Sequence, residues 1–347
     1  MTDLTSLMNR ALSASAISAA CLLATDAASA GQTEAVCLHE SPALHLNVNV
    51  PSLYPEGIEI DPKTGDFLLG SIRQGAVYRV PASGEALPLV EDDRLTSVVG
   101  IRVDEARQRL WVNNSDYGAA ERSQEGGAYT IASVGVYDLA SGDPLHFVDL
   151  SALRPSEDKF PNDLAVDQDG NAYVTDSLAA AIYKVTADGE GSVFLTDDAF
   201  RGDGFNLNGI VVHPDGYLIV AQKSIGKLYK VPLDAPETFA AIDLPRPLVA
   251  TDGLVLTGPK HLIAMTNRSG ETESDTIFSL TSDDAWASAE ISGSLETGDV
   301  YAMTAVVNDG RVFANYGRLN TLGATLEDSA ANPFIESFEI REIAKMC

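Results

Sequence analysis

The chain has 347 residues, and its 23 Lys and Arg against 50 Asp and Glu leave a formal net charge of −27 at pH 7. A surface this acidic repels phosphate backbones and anionic membranes, which argues against nucleic acid as a partner. The length suits two ordinary domains or one large all-β domain.

Residues 1–30 read as a secretory signal peptide. A polar start with Arg10 leads into an apolar run rich in Ala, Ile and Leu through Leu23, and Ala28-Ser29-Ala30 is an A-x-A cleavage signal before Gly31. The run is too short and too Ser-rich to span a membrane, and no other run approaches that length. The expected product is a secreted protein, extracellular or periplasmic. Cleavage would remove Cys21 and leave Cys37 and Cys347, an even pair that suggests a disulfide in an oxidising compartment. Next, Ala43 to Val50 alternates like a strand without a partner nearby.

A repeating unit follows and runs almost to the C-terminus. Its clearest copy is Phe160 to Ser177. Leu164 and Val166 alternate with small or polar residues as in a half-buried strand, Asp167 to Asn171 has tight-turn composition, and Ala172, Tyr173 and Val174 start the return. Ile182 to Val185 supplies a third strand. In chain order the copies begin at Glu56, Val99, Asn162, Asn208, Asp252 and Met303. The spacing is about forty-five residues, stretched where residues 118–131 insert a Gly- and Ser-rich loop. A period of that size built of short strands predicts an all-β fold, a six-bladed β-propeller. Residues 31–347 are then a single domain. The ring must close, so Ala43 to Val50 is expected to complete the last blade beside residues 334–340, bringing Cys37 near Cys347.

In a propeller the innermost strands line the central channel, and the residues just ahead of them gather at one mouth. Four of the six here carry oxygen donors: Glu56, Asn162, Asn208 and Asp252. Hard oxygens without sulfur or imidazole favour Ca²⁺ over transition metals. Two carboxylates balance a divalent charge, and two amides add coordination without quenching Lewis acidity. Taken singly, each residue suits an ordinary turn or loop; their coincidence at one repeat phase points to a cation site. Asn114, Asp116, Tyr117, Asn206, Gln222, Asn267, Tyr301 and Arg318 are the candidates for substrate contact in nearby loops. The five histidines form no evident catalytic set.

The motifs Pro55-Glu56-Gly57, Pro161-Asn162-Asp163, Leu207-Asn208-Gly209 and Thr251-Asp252-Gly253 resemble the gluconolactonase/regucalcin family, and more distantly paraoxonase and diisopropyl fluorophosphatase. The resemblance spans nearly the whole of residues 31–347. It implies a central divalent metal and hydrolysis of lactones or phosphotriesters, with Glu56, Asn162, Asn208 and Asp252 holding the metal and Asp252 doubling as general base or nucleophile. A disulfide joining the chain ends also looks like the paraoxonase arrangement. Gly57 departs from the acidic residue that paraoxonase has after its glutamate, which argues against a second, deeper calcium. The expectation is a secreted, metal-dependent hydrolase of a lactone or related ester acting on a small molecule. The alternatives are a strictosidine-synthase-like enzyme, which needs no such metal set, and a non-catalytic ligand-binding propeller.

Overall fold

A computed structural model describes residues 36–38, 45–267, 275–298, 300–328 and 332–346. Six antiparallel sheets follow one another along the chain, five with four strands and the last with five. The innermost strands are Pro55–Ile60, Ser97–Asp104, Pro161–Val166, Leu207–His213, Thr251–Gly258 and Ala302–Asn308. Each contacts the next, and the sixth contacts the first, so the ring closes as a six-bladed propeller. The described residues belong to one compact unit, Thr33–Cys347. The expectations for residues 1–30 and for Cys347 lie outside the described residues.

The strand content follows from the alternating pattern. Second strands such as Tyr217–Gln222 and His261–Thr266 are buried along their whole length, because each has a neighbouring blade on both faces. Outermost strands such as Glu290–Glu296 alternate exposed and half-buried residues, as suits a sheet with one solvated face. The buried apolar residues fall into clusters that sit between consecutive blades. Trp111, Val134 and Val136 of the second blade pack with Leu164, Val174 and Tyr183 of the third. Val211, Ile219 and Leu228 of the fourth pack with Leu254, Leu262 and Phe278 of the fifth. The core is therefore a set of radial seams around a polar axis.

The sixth blade carries the closure. Its third strand, Phe338–Met346, is nine residues long and holds two N-terminal strands along one edge. His45–Val48 pairs with Phe338 to Arg341, and Val36–Leu38 pairs with Ala344 to Met346. The strand expected at residues 43–50 thus lies where closure requires it, although its partner begins at Phe338. The seam to the first blade buries Leu53, Tyr54, Ile58, Phe313 and Phe338. Two edge-to-face ring pairs cross it, Tyr54–Phe338 at 5.2 Å and Phe67–Phe313 at 5.3 Å between centroids.

Every innermost strand carries a one-residue bulge at the same place. The register shifts between Pro55 and Ile58, Val98 and Ile101, Pro161 and Leu164, Leu207 and Ile210, Thr251 and Leu254, and Ala302 and Ala305. The second bulge residue is Gly57, Gly100, Gly209 or Gly253 in four blades. There the backbone of the next innermost strand presses close. A Cβ on Gly209 would lie 2.3 Å from the Asp252 carbonyl oxygen and 2.7 Å from the Leu254 nitrogen. These are backbone atoms with no room to retreat. Gly209→Ala should therefore lower stability by about 1–3 kcal/mol, the usual cost of overpacking. Thermal unfolding will show this as a clear drop in Tm, and an unchanged Tm would mean that the ring opens freely at this seam.

Candidate functional site

The bulges explain how four oxygen-bearing side chains come together. A bulge leaves an extra residue outside the hydrogen-bond ladder and re-aims it. Here that residue is Glu56, Val99, Asn162, Asn208, Asp252 or Met303. Glu56, Asn162, Asn208, Asp252 and Met303 all line one cavity of about 540 Å³ at the channel mouth. All four polar residues are buried. The carbonyls freed by the bulges are tied to the preceding blade. Asn113 Nδ2 donates to Asn162 O (3.1 Å), Thr175 Oγ1 to Asn208 O (2.7 Å) and Asn315 Nδ2 to Glu56 O (2.9 Å). These three donors occupy the same position in the second strands of their blades, so the site is held by a repeated blade-to-blade clamp.

One residue past the partner of the last paired residue before each bulge stand Ile72, Ser115, Ser177, Lys223, Asn267 and Gly317, of which Ile72 and Lys223 line the cavity. Ser177 Oγ accepts from Asn162 Nδ2 at 3.0 Å and itself donates to Leu207 O at 2.6 Å. Lys223 Nζ lies 2.9 Å from Asp252 Oδ2 and 2.9 Å from Asn267 Oδ1. Asn267 Nδ2 also donates to Asp252 Oδ2. One oxygen of Asp252 is thus fixed by two donors, Lys223 from the preceding blade and Asn267 from its own. Lys223 is the functional residue that sequence reasoning passed over. Its repeat phase, one residue after Gln222, was the available signal.

The other candidates divide. Tyr301 and Tyr117 line the cavity; burial pushes the Tyr117 phenol up to about 12 and raises Tyr301 as well, so both stay protonated. Asn267 meets Asp252, as above. Asn114 spends its amide on Thr96 N, Arg94 O and Ser133 Oγ, inside its own blade. Gln222 is fully buried, donating to Arg201 O and accepting from Tyr229 Oη. Asn206 donates to Gly202 O and Gly204 O and accepts from Ser224 Oγ, which shapes the loop that lines the cavity with Asp203 to Phe205. Asp116 accepts from Gly118 N and Ser123 Oγ and anchors the inserted loop. Arg318 precedes the helix Leu319–Glu327, with φ 50°. Above the polar floor the walls are apolar. Phe160 packs edge-on to Phe205 at 5.0 Å and to Tyr117 at 6.2 Å, and the helix adds Leu319.

Among the described residues, no three His, Cys, Asp or Glu side chains are gathered to hold a metal. A cation here must therefore use amide oxygens. The donor set fits a hard divalent ion in one respect that the protein alone leaves unexplained. Asn162 Oδ1 is buried without a hydrogen-bond partner, while its Nδ2 is engaged by Ser177. Burial, then the nearby Asp252 and Asp163, raise the Glu56 carboxyl well above the usual range, and Lys223 opposes the rise.

Below the mouth a second charge cluster centres on Arg102, close enough for its Asp163 to act on Glu56. Arg102 Nη1 lies 2.8 Å from Glu59 Oε1 and Nη2 lies 3.9 Å from Asp163 Oδ1, while Nε donates to Leu164 O. Asp163 also accepts from Leu164 N and Ile210 N. Burial pushes Glu59 up to about 7 and Asp163 up to about 6, with Arg102 restraining both.

A model of the family described as Major royal jelly protein matches residues 96–204. No curated protein matches the chain. Among solved structures, Mala s 1, the major allergen of Malassezia sympodialis, is similar with a TM-score of 0.65 at 17% identity, covering 86% of this chain and 95% of that one. Regucalcin from Agrobacterium tumefaciens, described as a calcium-binding protein, gives 0.56 at 15% identity, with 89% and 95% covered. Virginiamycin B lyase from Staphylococcus aureus gives 0.53 at 12% identity, with 89% and 99% covered. These likenesses support the six-bladed propeller.

The buried carboxyls set a pH dependence. Glu59 holds a proton in the folded protein up to about pH 7, whereas the unfolded chain releases it in the ordinary carboxylate range. Between those limits the folded state binds more protons, so stability is greatest at the acidic end of the window and falls as pH rises through about 7. Melting curves across this window should show Tm declining with pH, and the slope should flatten in Glu59→Gln. An identical slope in the variant would remove Glu59 as its source.

Proposed function

We propose that the protein is a divalent-cation-dependent hydrolase of a small lactone or related ester, with Ca²⁺ the favoured ion. The observation that carries this reading is the six-fold bulge, which presents Glu56, Asn162, Asn208 and Asp252 to one cavity. Glu56, Asn162, Asn208 and Asp252 would hold the cation, and its chemistry there would be to polarise a carbonyl or phosphoryl oxygen. Asp252 is the base or nucleophile. In the cation-free protein Lys223 and Asn267 both donate to its Oδ2, which fixes the orientation of the carboxylate. Glu56 serves as a ligand and charge partner. The phenols of Tyr117 and Tyr301, kept protonated by burial, are hydrogen-bond donors at the cavity wall. Phe160, Phe205 and Leu319 supply an apolar wall for a substrate.

A second reading is favoured by Lys223. The site already contains a cation of its own, which suits a propeller that binds a small molecule without turnover. A panel of lactones, esters and phosphotriesters, each assayed with Ca²⁺ and after chelation, separates the two. Cation-dependent turnover supports the hydrolase; absence of turnover throughout, or condensation of an amine with an aldehyde, rejects it.

Asp252→Asn retains an oxygen ligand of similar size and removes the basic carboxylate. It should reduce turnover by about 10²–10⁴-fold while cation occupancy stays high in the same sample. Near-wild-type turnover at full occupancy would leave Asp252 a plain ligand.

The same proposal places the protein outside the cytoplasm, cleaved near Gly31 and bridged between Cys37 and Cys347. Cys37 stands across from Lys345, two residues before Cys347. Intact mass and non-reducing peptide mapping of exported protein should show cleavage and the bridge. Retention of residues 1–30, or free thiols at both positions, would contradict it.

A further inference from the structure

Lys223 is built into the site with unusual care for a long, flexible side chain. Its backbone is pinned on both sides: Lys223 N donates to Asn206 O and Ala250 N donates to Lys223 O, each at 2.8 Å. Its side chain is only 12% exposed and crosses from the fourth blade to the fifth. The ammonium rests between Asp252 Oδ2 and Asn267 Oδ1, both at 2.9 Å. It lines the same cavity as Glu56, Asn162, Asn208 and Asp252. At the equivalent place in the third blade stands Ser177, a neutral group that orients Asn162.

An ammonium and a divalent cation cannot both sit against one buried carboxylate without repelling each other. Both side chains are largely buried, so the repulsion is weakly screened. We infer that Lys223 is the resident counter-cation of the channel mouth, that it opposes a divalent cation at Asp252, and that it sets the affinity of the site. The inference rests on the cation-dependent reading above. It explains how the buried carboxylate of Asp252 is tolerated in the cation-free protein, where Lys223 supplies the opposing charge. It also means that cation binding displaces the ammonium from Asp252 or leaves the ion weakly held.

The test is calcium titration by calorimetry of chelator-treated full-length protein, with circular dichroism to confirm folding. Four proteins are compared: wild type, K223M, K223Q and K223R. K223M removes the charge and keeps the bulk of the stem. K223Q keeps a donor for Asp252 and carries the test if K223M does not fold. K223R keeps the charge. The expected result is that K223M and K223Q bind Ca²⁺ at least about tenfold more tightly than wild type, whereas K223R stays near wild type. Melting curves give a second readout: without cation the neutral variants should melt below wild type, and Ca²⁺ should restore them. Binding by K223M alone supports the inference and shifts the functional reading towards a lysine-filled site. Measurable but equal affinity in wild type and K223M overturns the inference and leaves the cation-dependent reading standing. Absence of binding in all four folded proteins removes both.

Discussion

Ring closure is the constraint on which everything else depends. A blade of this protein buries both faces only when it has a neighbour on each side, so the first and last blades must meet. The long strand Phe338–Met346 makes this possible by accepting two N-terminal strands along one edge. Hydrogen bonds across that edge join parts of the chain that are distant in sequence, and the apolar seam of Tyr54, Phe313 and Phe338 adds the burial. Deleting one large aromatic from such a seam typically costs about 3–5 kcal/mol, so the seam contributes strongly to holding the ring. Without closure the innermost strands would not converge, and no channel mouth would exist.

Convergence alone would not make a site. A regular strand points alternate side chains to its two faces, which here are blade interfaces. The bulge breaks that alternation at one place in each innermost strand and re-aims one side chain to the axis. It also frees carbonyls, and Asn113, Thr175 and Asn315 recover them as acceptors across the blade boundary. The same geometry demands close approach of neighbouring strands, which is why glycine recurs after the re-aimed residue. Fold and site are therefore one device: the distortion that presents Glu56, Asn162, Asn208 and Asp252 also sets the spacing of the ring.

The axis concentrates charge that burial would otherwise penalise. Two layers solve this in two ways. In the deeper layer Arg102 stands between Glu59 and Asp163, and the carboxyls remain raised because burial outweighs the guanidinium. At the mouth Lys223 and Asn267 hold Asp252. Glu56 lies beside them, its carboxyl raised by burial and by its acidic neighbours. Glu56 and Asp252 are both buried, so each charge at the floor counts for more than it would at the surface.

The repeat was legible in the sequence because each blade must bury the same alternating pattern and end in the same turns. Six spaced copies therefore established the propeller, the strand that closes it and the repeat phase of Glu56, Asn162, Asn208 and Asp252. That phase is a one-dimensional property, and it survives from sequence to structure unchanged. What the pattern could not disclose was direction. Gln222 and Lys223 are adjacent polar residues at the end of one strand; the period of two sends Gln222 into the blade, against Tyr229, and Lys223 into the channel, against Asp252. Asn114 and Asn113 differ in the same way, one closing its own blade and the other clamping the next. The bulges and the Arg102 layer were equally silent, since both depend on atoms brought together from separate blades. The sequence by itself determined which residues recur and at what interval. Tertiary structure alone decided which way each side chain points, because a one-residue shift in register reverses the face and only packing against neighbouring blades selects it.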